Sequence, residues 1–211
     1  MKKLEYLKQI LSYLDNPDPE ALKLSMADTH HEGIFSLVVN GTEFGKLTRV
    51  FIALEDLKPN EVQFHTHRYP ITLTVLKGQI DHHTAQETDG SFDDSLGQQV
   101  VELSKYKYLS PLNGGKGLEY VSDEHYRLKS YVLPLSSRFS IETDEFHTMS
   151  CSKGSMWVVE EHGFQTASSE VLGVPFVLDD LYNPPKSFQI NDLTQKVRRV
   201  LKEMILDFEL V

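Results

Sequence analysis

Apolar and polar residues alternate through most of the chain. Between Gly33 and Phe164, short stretches rich in Val, Ile, Leu and aromatic residues are separated by clusters of Gly, Asn, Asp, Pro and Ser. Alternation with a period of two is typical of half-buried strands, because successive side chains of a strand point to opposite faces. We therefore expect about eight to ten short strands with no helix between them, a spacing that favours an all-β barrel or jelly roll over a parallel sheet.

Helical periodicity is confined to the two ends of the chain. Leucine and isoleucine recur at spacings of three and four over residues 2–14, and a similar apolar stripe follows Asn191. Both patterns are typical of amphipathic helices. A further short helix is expected from Asp18, a good N-cap, to about Met26. The sequence thus predicts three parts: a helical extension over residues 1–32, a β-barrel domain over residues 33–175, and a linker with a C-terminal helix over residues 176–211.

Turn signals divide the β region into its strands. Asn40-Gly41 predicts a hairpin between the strands on either side, because Asn-Gly is the strongest short turn signal. A surface loop is expected over residues 88–97, which hold three Asp, two Gly and two Ser. Two separate strands are predicted at residues 118–122 and 126–135, on either side of a polar stretch.

Two histidines stand two residues apart in one predicted strand. They are His65 and His67, within the stretch EVQFHTHRYPITLTVLKG that runs from Glu61 to Gly78. Residues two apart on a strand share a face, so the two imidazoles are expected side by side. Two neutral imidazoles at this spacing can share one divalent metal if other groups arrive from elsewhere in the fold. The simpler alternative is that they are ordinary histidines on a polar strand face.

This stretch resembles the first motif of the cupin superfamily, in which a His-X-His pair is followed by a Glu and then a Gly. Gly78 corresponds to the closing glycine, and Thr72 stands at about the position of the glutamate. A looser similarity to the second motif lies in ETDEFHTMSCSKGSMWVVEEHG, where His147 corresponds to the motif histidine and Cys151 stands in place of an asparagine. The Pro-X-Gly that precedes the histidine in the family is absent. The resemblance covers roughly residues 44–163.

The resemblance implies a cupin-like barrel in which His65, His67 and His147 hold one metal ion. Three protein ligands with positions left open suit a catalytic metal, because water or substrate must bind the ion directly. Imidazole sets accommodate Fe, Zn, Ni or Cu. Cupins with three His and no carboxylate include thiol and diketone dioxygenases that use ferrous iron, so Fe2+ is favoured over Zn2+ or Ni2+ by resemblance.

Other polar residues are candidates for the surroundings of this site. His82 and His83 are adjacent, so only one of them can face a site, and His82 is either that residue or a structural one. Gln63 shares the strand face of the histidine pair and is a candidate orienting group. In this fold an Arg often binds a substrate carboxylate. Cys151 offers a metal-binding or nucleophilic thiolate, or else a buried structural thiol. The predicted pocket residues are Gln63, Thr72, Arg127 and Cys151.

Composition narrows the classes of function. The formal net charge of −10 argues against nonspecific binding to nucleic acid, because the phosphate backbone attracts basic surfaces. The single cysteine allows no intramolecular disulfide. No apolar run approaches the roughly 18 residues of a membrane span, and charges interrupt the N-terminal apolar pattern, so we expect a cytoplasmic protein without membrane contact. The apolar C-terminal helix is expected to cover the barrel or to pack across a homodimer interface.

The leading hypothesis is a cupin-type, metal-dependent enzyme acting on a small organic acid, thiol or dicarbonyl. Its most specific form is a three-His mononuclear iron dioxygenase, in which the substrate chelates the metal and O2 takes a neighbouring position. Two alternatives stay open, because one fold hosts many functions. One is a non-catalytic module that binds a small ligand, and the other is a metal-assisted isomerase or lyase that does not use O2.

Overall fold

The chain folds into two helices and eleven strands within the residues that can be described. A computed structural model of the protein describes residues 3–16, 19, 23–26, 28–29, 31–40, 47–59, 61–90, 99–109, 115, 117–173 and 190–209. The helices are α1 (Lys3–Asp15) and α2 (Ile190–Glu209). The strands are β1 (Ile34–Asn40), β2 (Thr48–Ala53), β3 (Phe64–His65), β4 (Ile71–Lys77), β5 (Ile80–Thr88), β6 (Gln99–Leu109), β7 (Gly117–Leu133), β8 (Arg138–Ile141), β9 (Phe146–Cys151), β10 (Met156–Glu161) and β11 (Ser169–Gly173).

Antiparallel pairing joins these strands into two sheets. The first, here the open sheet, has the order β1-β2-β10-β4-β8. The other six strands hydrogen-bond in a closed ring in the order β11-β3-β9-β5-β7-β6. Strands far apart in the sequence become neighbours, as β10 does between β2 and β4. The predicted fold class, an all-β barrel or jelly roll with helices added at both ends, is confirmed.

The open sheet is buried on both faces because its strands alternate between two apolar cores. Leu73 of β4 and Trp157 of β10 point toward the ring and pack with Ile80 of β5 in what we call the inter-sheet core. Leu76 of β4 and Val158 of β10 point to the opposite face of the sheet, into what we call the helix-side core, to which both helices also contribute. The strands β1, β2, β4 and β10 therefore contribute apolar surface on both sides, whereas Phe139 and Ile141 of β8 contribute to the inter-sheet core alone.

The ring encloses a third, smaller core of its own. Its buried members are Ala85, Tyr126, Phe146 and Leu172, which come from β5, β7, β9 and β11. Partly buried apolar residues from β3 and β6 pack against them, so all six strands contribute. A residue of the ring thus points either into this ring core or outward toward the open sheet, according to its position in the strand.

The apolar stripe of α2 is used within the chain. Val197, Leu201 and Met204 pack in the helix-side core together with Leu7 and Leu14 of α1. The sequence left two alternatives for the apolar face of this helix, packing on the barrel or packing across a dimer interface. In the structure this face packs within the chain. A homodimer and a cytoplasmic location stay predictions. Neither of the helices that the structure describes combines the length and apolar content needed to cross a membrane.

Two strands differ from the sequence expectation. In place of two strands at residues 118–122 and 126–135 there is one continuous strand, β7. The polar stretch between them does not break the strand because it stays paired with β6, and Ser104 Oγ donates a hydrogen bond to Asp123 Oδ1 at 2.6 Å. The strand that holds the histidine pair is shorter than expected, since β3 comprises two residues and His67 follows it outside regular structure.

Several expectations fall outside the described residues or are met only in part. The strands of the predicted hairpin, β1 and β2, pair as expected, whereas the turn that follows Asn40 lies outside the described residues. Residues 18 and 20–22 of the predicted second helix, residues 91–97 of the predicted loop and the linker before α2 also lie outside the described residues. Residues 23–26 do not continue a helix as predicted, because Met26 forms an isolated β-bridge with Ser36. The predicted domain boundaries stay predictions.

The packing of α2 predicts that two leucines of this helix differ sharply in their effect on stability. Leu201 is fully buried in the helix-side core, whereas Leu206 is 57% exposed. We expect Leu201→Ala to lower the free energy of unfolding by about 2–5 kcal/mol, since it leaves a cavity in a packed core. Leu206→Ala, the matched control, should change it by less than about 0.5 kcal/mol. Chemical denaturation of both variants measures the difference, and equal effects would contradict the described packing.

Candidate metal centre

Three histidines from distant parts of the sequence meet on the ring. His65 of β3 is paired directly with His147 of β9, and His67 follows two residues after His65. One ring nitrogen from each of the three lies within 4.8 Å of the other two. The Nε2 atoms of His67 and His147 are 2.7 Å apart. The structure therefore brings together the three residues that the sequence proposes as metal ligands.

Strand alternation directs this cluster toward the open sheet. Phe64 and Phe146, the neighbours of His65 and His147, pack in the ring core. The two histidines must then lie on the outer face of the ring, because adjacent residues of a strand point to opposite sides. His147 is only 2% exposed, whereas His65 and His67 are half-buried. The cluster is thus enclosed on one side and accessible on the other.

Hydrogen bonding and burial prepare the imidazoles to bind a metal. The Nδ1–H of His65 donates to the backbone carbonyl of Gln63 at 2.9 Å, which leaves the lone pair on Nε2. Burial lowers the pKa of His65 and so favours the neutral form that a metal requires. The Nε2 atoms of His67 and His147 are within hydrogen-bond distance of each other, and a metal ion would take the lone pairs of both. The donor set fits a divalent transition metal.

Gln63 contributes to this arrangement through its main chain. The sequence expectation placed its side chain in the pocket as an orienting group. The observed orienting contact is the carbonyl oxygen of Gln63, which any residue at this position would supply. The tautomer of His65 is therefore set by the backbone path that leads into β3.

Thr72, at the position of the family's glutamate, faces away from the three histidines. Its neighbours Ile71 and Leu73 point into the inter-sheet core, so the Thr72 side chain lies on the helix-side face of β4. Its Oγ1 is 2.8 Å from His162 Nε2 and 3.2 Å from Ser140 Oγ. This placement differs from the pocket position that the sequence suggested, and the ligand group found among the described residues contains no carboxylate.

Arg127 lies on the same face of the ring as the histidines. Tyr126 packs in the ring core, so Arg127 and Lys129 point outward on either side of Leu128. Lys129 is paired with Thr84 of β5, which is paired in turn with His147. Since neighbouring strands are about 4.8 Å apart, the Lys129 backbone lies roughly 10 Å from that of His147. The sequence analysis did not identify Lys129, because only the pairing of β7 with β5 and of β5 with β9 places it in line with His147.

His82 occupies the outer face of β5 beside the cluster. Its ring centroid lies 5.3 Å from that of His147 and 4.7 Å from that of Phe139 in β8 of the open sheet. The contact with Phe139 shows that His82 faces the open sheet, whereas the adjacent His83 lies between two serine hydroxyls. Burial, with a smaller effect of nearby His83, lowers the pKa of His82 to about 4. The imidazole is therefore neutral near pH 7.

A buried polar network supports His67 from the side of the open sheet. Arg49 Nε donates to Glu161 Oε1 at 2.6 Å, and both side chains are largely buried. The Tyr69 hydroxyl hydrogen-bonds to Glu161, and burial together with this carboxylate raises the pKa of Tyr69 to about 12. The Tyr69 ring stacks on His67 with a centroid distance of 6.3 Å. The sequence did carry a signal for this network, since two glutamates, Glu160 and Glu161, end the apolar stretch MWVV.

Cys151 is part of the inter-sheet core and is not a member of the ligand group. It shares the outer face of β9 with His147 but stands four residues further along the strand. Burial, and to a lesser degree the charges of Asp56 and Asp81, raise the pKa of its thiol to about 11. A protonated thiol is a poor nucleophile and a poor ligand. The structure therefore favours the structural interpretation of this residue over the reactive one.

The chain is similar to several solved structures, each at low identity and low TM-score. No protein-family model matches the sequence, and no curated protein sequence matches it. Hydroxypropylphosphonic acid epoxidase from S. wedmorenis has a TM-score of 0.41 and 14% identity, over 70% of this chain and 60% of that one, so this chain matches less than two thirds of the epoxidase. Hydroquinone 1,2-dioxygenase from Sphingomonas sp. TTNP3 has a TM-score of 0.35 and 10% identity, over 63% and 66% of the two chains. An oxalate oxidase has a TM-score of 0.39 and 17% identity, over 88% and 78%. At these values the likenesses carry no functional conclusion.

The environment of Cys151 predicts slow thiol chemistry. With a pKa of about 11, little of the thiol is ionised near neutral pH. We expect native protein to react with iodoacetamide at pH 8 at least about a hundredfold more slowly than a free cysteine, because the thiolate is the nucleophile. The rate should rise as the pH approaches 11. Mass spectrometry of timed samples measures the reaction, and protein unfolded in denaturant is the control. Rapid labelling of native protein would show that the thiol is accessible and activated.

Proposed function

We propose that this protein is a metal-dependent oxygenase whose single divalent ion is held by His65, His67 and His147. In its most specific form, the proposal is a three-His mononuclear iron dioxygenase that acts on a small organic acid, thiol or dicarbonyl. The observation that carries it is the convergence of three imidazole nitrogens within 4.8 Å, on a half-buried face between two sheets. Histidines with no shared ligand have no evident reason to converge so closely.

The charge of the ligand set favours one class of substrate. Three neutral imidazoles leave the full 2+ charge of an ion uncompensated, which favours an anionic ligand in the open positions. Imidazole ligands suit Fe2+, and they also suit Zn2+ and Ni2+. When bound, a ferrous ion would supply a Lewis acid for the substrate and a redox-active centre through which electrons from the substrate could reach O2.

The protein's own residues would hold and shield the reacting groups. The Gln63 carbonyl fixes the tautomer of His65, and the Tyr69 ring fixes the plane of His67 by stacking on it. Phe139 and the inter-sheet core exclude water from the buried side of the cluster. Such a dry, shaped surround strengthens electrostatic contacts to the substrate and limits side reactions.

Arg127 and Lys129 are the groups best placed to bind an acidic substrate. Both are half-buried on the outer face of β7, and the described residues include no ion-pair partner for either of them. A guanidinium offers a planar fork of donors to a carboxylate, and an ammonium adds a point charge. In a protein of net charge −10, two such cations on the ring face that carries the three histidines would attract anions toward that face.

Metal content tests the ligand assignment directly. We expect about one equivalent of iron, zinc or nickel in protein purified without a metal-affinity column. His65→Ala and His147→Ala should each lower the metal affinity by at least about a hundredfold, because two imidazoles bind far more weakly than three. His83→Ala, which removes a histidine from the opposite face of β5, is the control and should keep full metal content. Elemental analysis measures each sample. Full metal content in both ligand variants would exclude the three-His site.

Oxygen consumption tests the reaction class. With protein loaded anaerobically with Fe2+, a panel of small acids, thiols and dicarbonyls should include a substrate that drives O2 uptake. Arg127→Met should then raise the KM for an acidic substrate about tenfold or more with little change in kcat, because it removes a charge-assisted hydrogen bond made throughout the reaction. Lys107→Met, on an exposed site of β6, is the matched control. Turnover without O2 uptake would indicate an isomerase or lyase, and tight binding without turnover a ligand-binding module.

A further inference from the structure

One buried nitrogen beside the cluster has no partner within the described part of the chain. The His82 side chain is 5% exposed, and its Nε2 atom is buried without a hydrogen bond. Leaving a buried nitrogen unpaired costs about 1–3 kcal/mol. Buried polar groups of native proteins almost always have a partner, and exceptions call for an explanation such as a bound water, ion or catalytic role.

The surroundings of His82 explain why the protein itself does not supply that partner. Met149 of β9 stands opposite His82 on one side, and Tyr131 of β7 on the other. Phe139 covers the imidazole from the open sheet with its ring centroid 4.7 Å away. None of these three neighbours makes a hydrogen bond to His82 Nε2. The remaining close neighbour is His147, with a centroid distance of 5.3 Å, so His82 borders the three-histidine cluster.

His82 is nevertheless not a fourth member of the ligand group. Among the described histidines, cysteines and carboxylates, the group whose ligand atoms lie within 4.8 Å of one another comprises His65, His67 and His147. An imidazole that borders the cluster without belonging to it is placed to contact what the ion binds. Its nitrogen can donate to or accept from such a molecule, since a neutral imidazole has one N–H and one lone pair.

We propose that His82 is a binding residue for the exogenous ligand of the centre, with Nε2 making a hydrogen bond to an oxygen or nitrogen atom of the molecule held beside the three histidines. The chemical class is a small polar or anionic molecule, such as water or the acidic, hydroxyl or thiol end of a substrate. This inference rests on the proposed function, because without an ion nothing would fix such a ligand there. It gives a specific contact to His82, which strand spacing offered either as a residue facing the site or as a structural one.

Binding of azide to the Co2+-loaded protein tests this role without any need for turnover. The visible absorption of Co2+ reports first the binding of the metal and then the binding of azide. We expect His82→Phe to keep the Co2+ affinity within about threefold of the unaltered protein but to weaken azide binding about tenfold, the loss of one hydrogen bond to a charged group. His82→Gln should recover part of the azide affinity, because its amide donates in a similar place.

The control is His83→Gln, which alters the adjacent histidine on the opposite face of β5 and should change neither constant. A fall in Co2+ affinity for His82→Phe as large as that for His65→Ala would make His82 a metal ligand and overturn the inference. Unchanged azide affinity in both His82 variants would overturn it as well, leaving a packing role. Failure of the unaltered protein to bind Co2+ would instead overturn the proposed function, and the inference with it. If His82→Phe does not fold, as judged by circular dichroism, the comparison of His82→Gln with His83→Gln decides between these outcomes.

Discussion

The pairing of His65 with His147 across β3 and β9 fixes the position of everything else at the candidate centre. Each histidine is preceded by a phenylalanine that points into the ring core, Phe64 in one strand and Phe146 in the other. A slip of one residue in either strand would turn a phenylalanine outward and a histidine inward. The apolar content of the ring core therefore enforces the polar arrangement on its outer face. The relative positions of His65 and His147 are therefore fixed by packing on the opposite face of the same two strands.

Burial affects the protonation of the histidines at this site as much as their hydrogen-bond and ionic partners do. The pKa values of His65 and His82 are both lowered, chiefly because burial disfavours the imidazolium form. The charges that are buried nearby, Arg49 and Glu161, occur as a hydrogen-bonded pair that also binds Tyr69. Such a pair contributes little net stability, because desolvation offsets most of the attraction. Removing one partner, however, would leave the other charge buried and unpaired. Its role is thus better understood as positioning, since it holds the ring on which His67 stacks.

The sequence predicted the fold class and the three histidines for different reasons. Alternation and turn signals predicted the strands because they reflect burial directly, and the helices at both ends followed from their apolar stripes. His65 and His67 were indicated by their spacing on one strand, whereas His147 depended on a resemblance between short motifs. The structure then added two things that spacing cannot supply: the proximity of His147 to the pair and the direction in which each residue points.

The missed or misplaced residues share one physical cause. Lys129 and Tyr69 reach the site only through strand register and the packing of one sheet on another, which local sequence does not encode. His82 was considered from its strand position, but its contact with the cluster likewise depends on that packing. Thr72 was expected in the pocket from its place in the motif, yet the alternation of β4 directs it to the helix side. The continuous β7 was predicted as two strands, because the polar stretch at its centre is stabilised by partners in β6 that lie about twenty residues away in the sequence.

The shortness of β3 makes the fold around the centre depend on side-chain hydrogen bonds. With two residues in regular pairing, this segment is fastened by Thr148 Oγ1, which donates to the Val62 carbonyl, and by Thr66, which exchanges hydrogen bonds with Glu170 of β11. These contacts set the backbone on either side of His65. A metal held by this segment and by β9 would join them more strongly than their few backbone bonds do, because binding to the native state alone adds its free energy to folding. The segment around His65 can therefore have few backbone hydrogen bonds, provided that packing in the ring core fixes the register of β3.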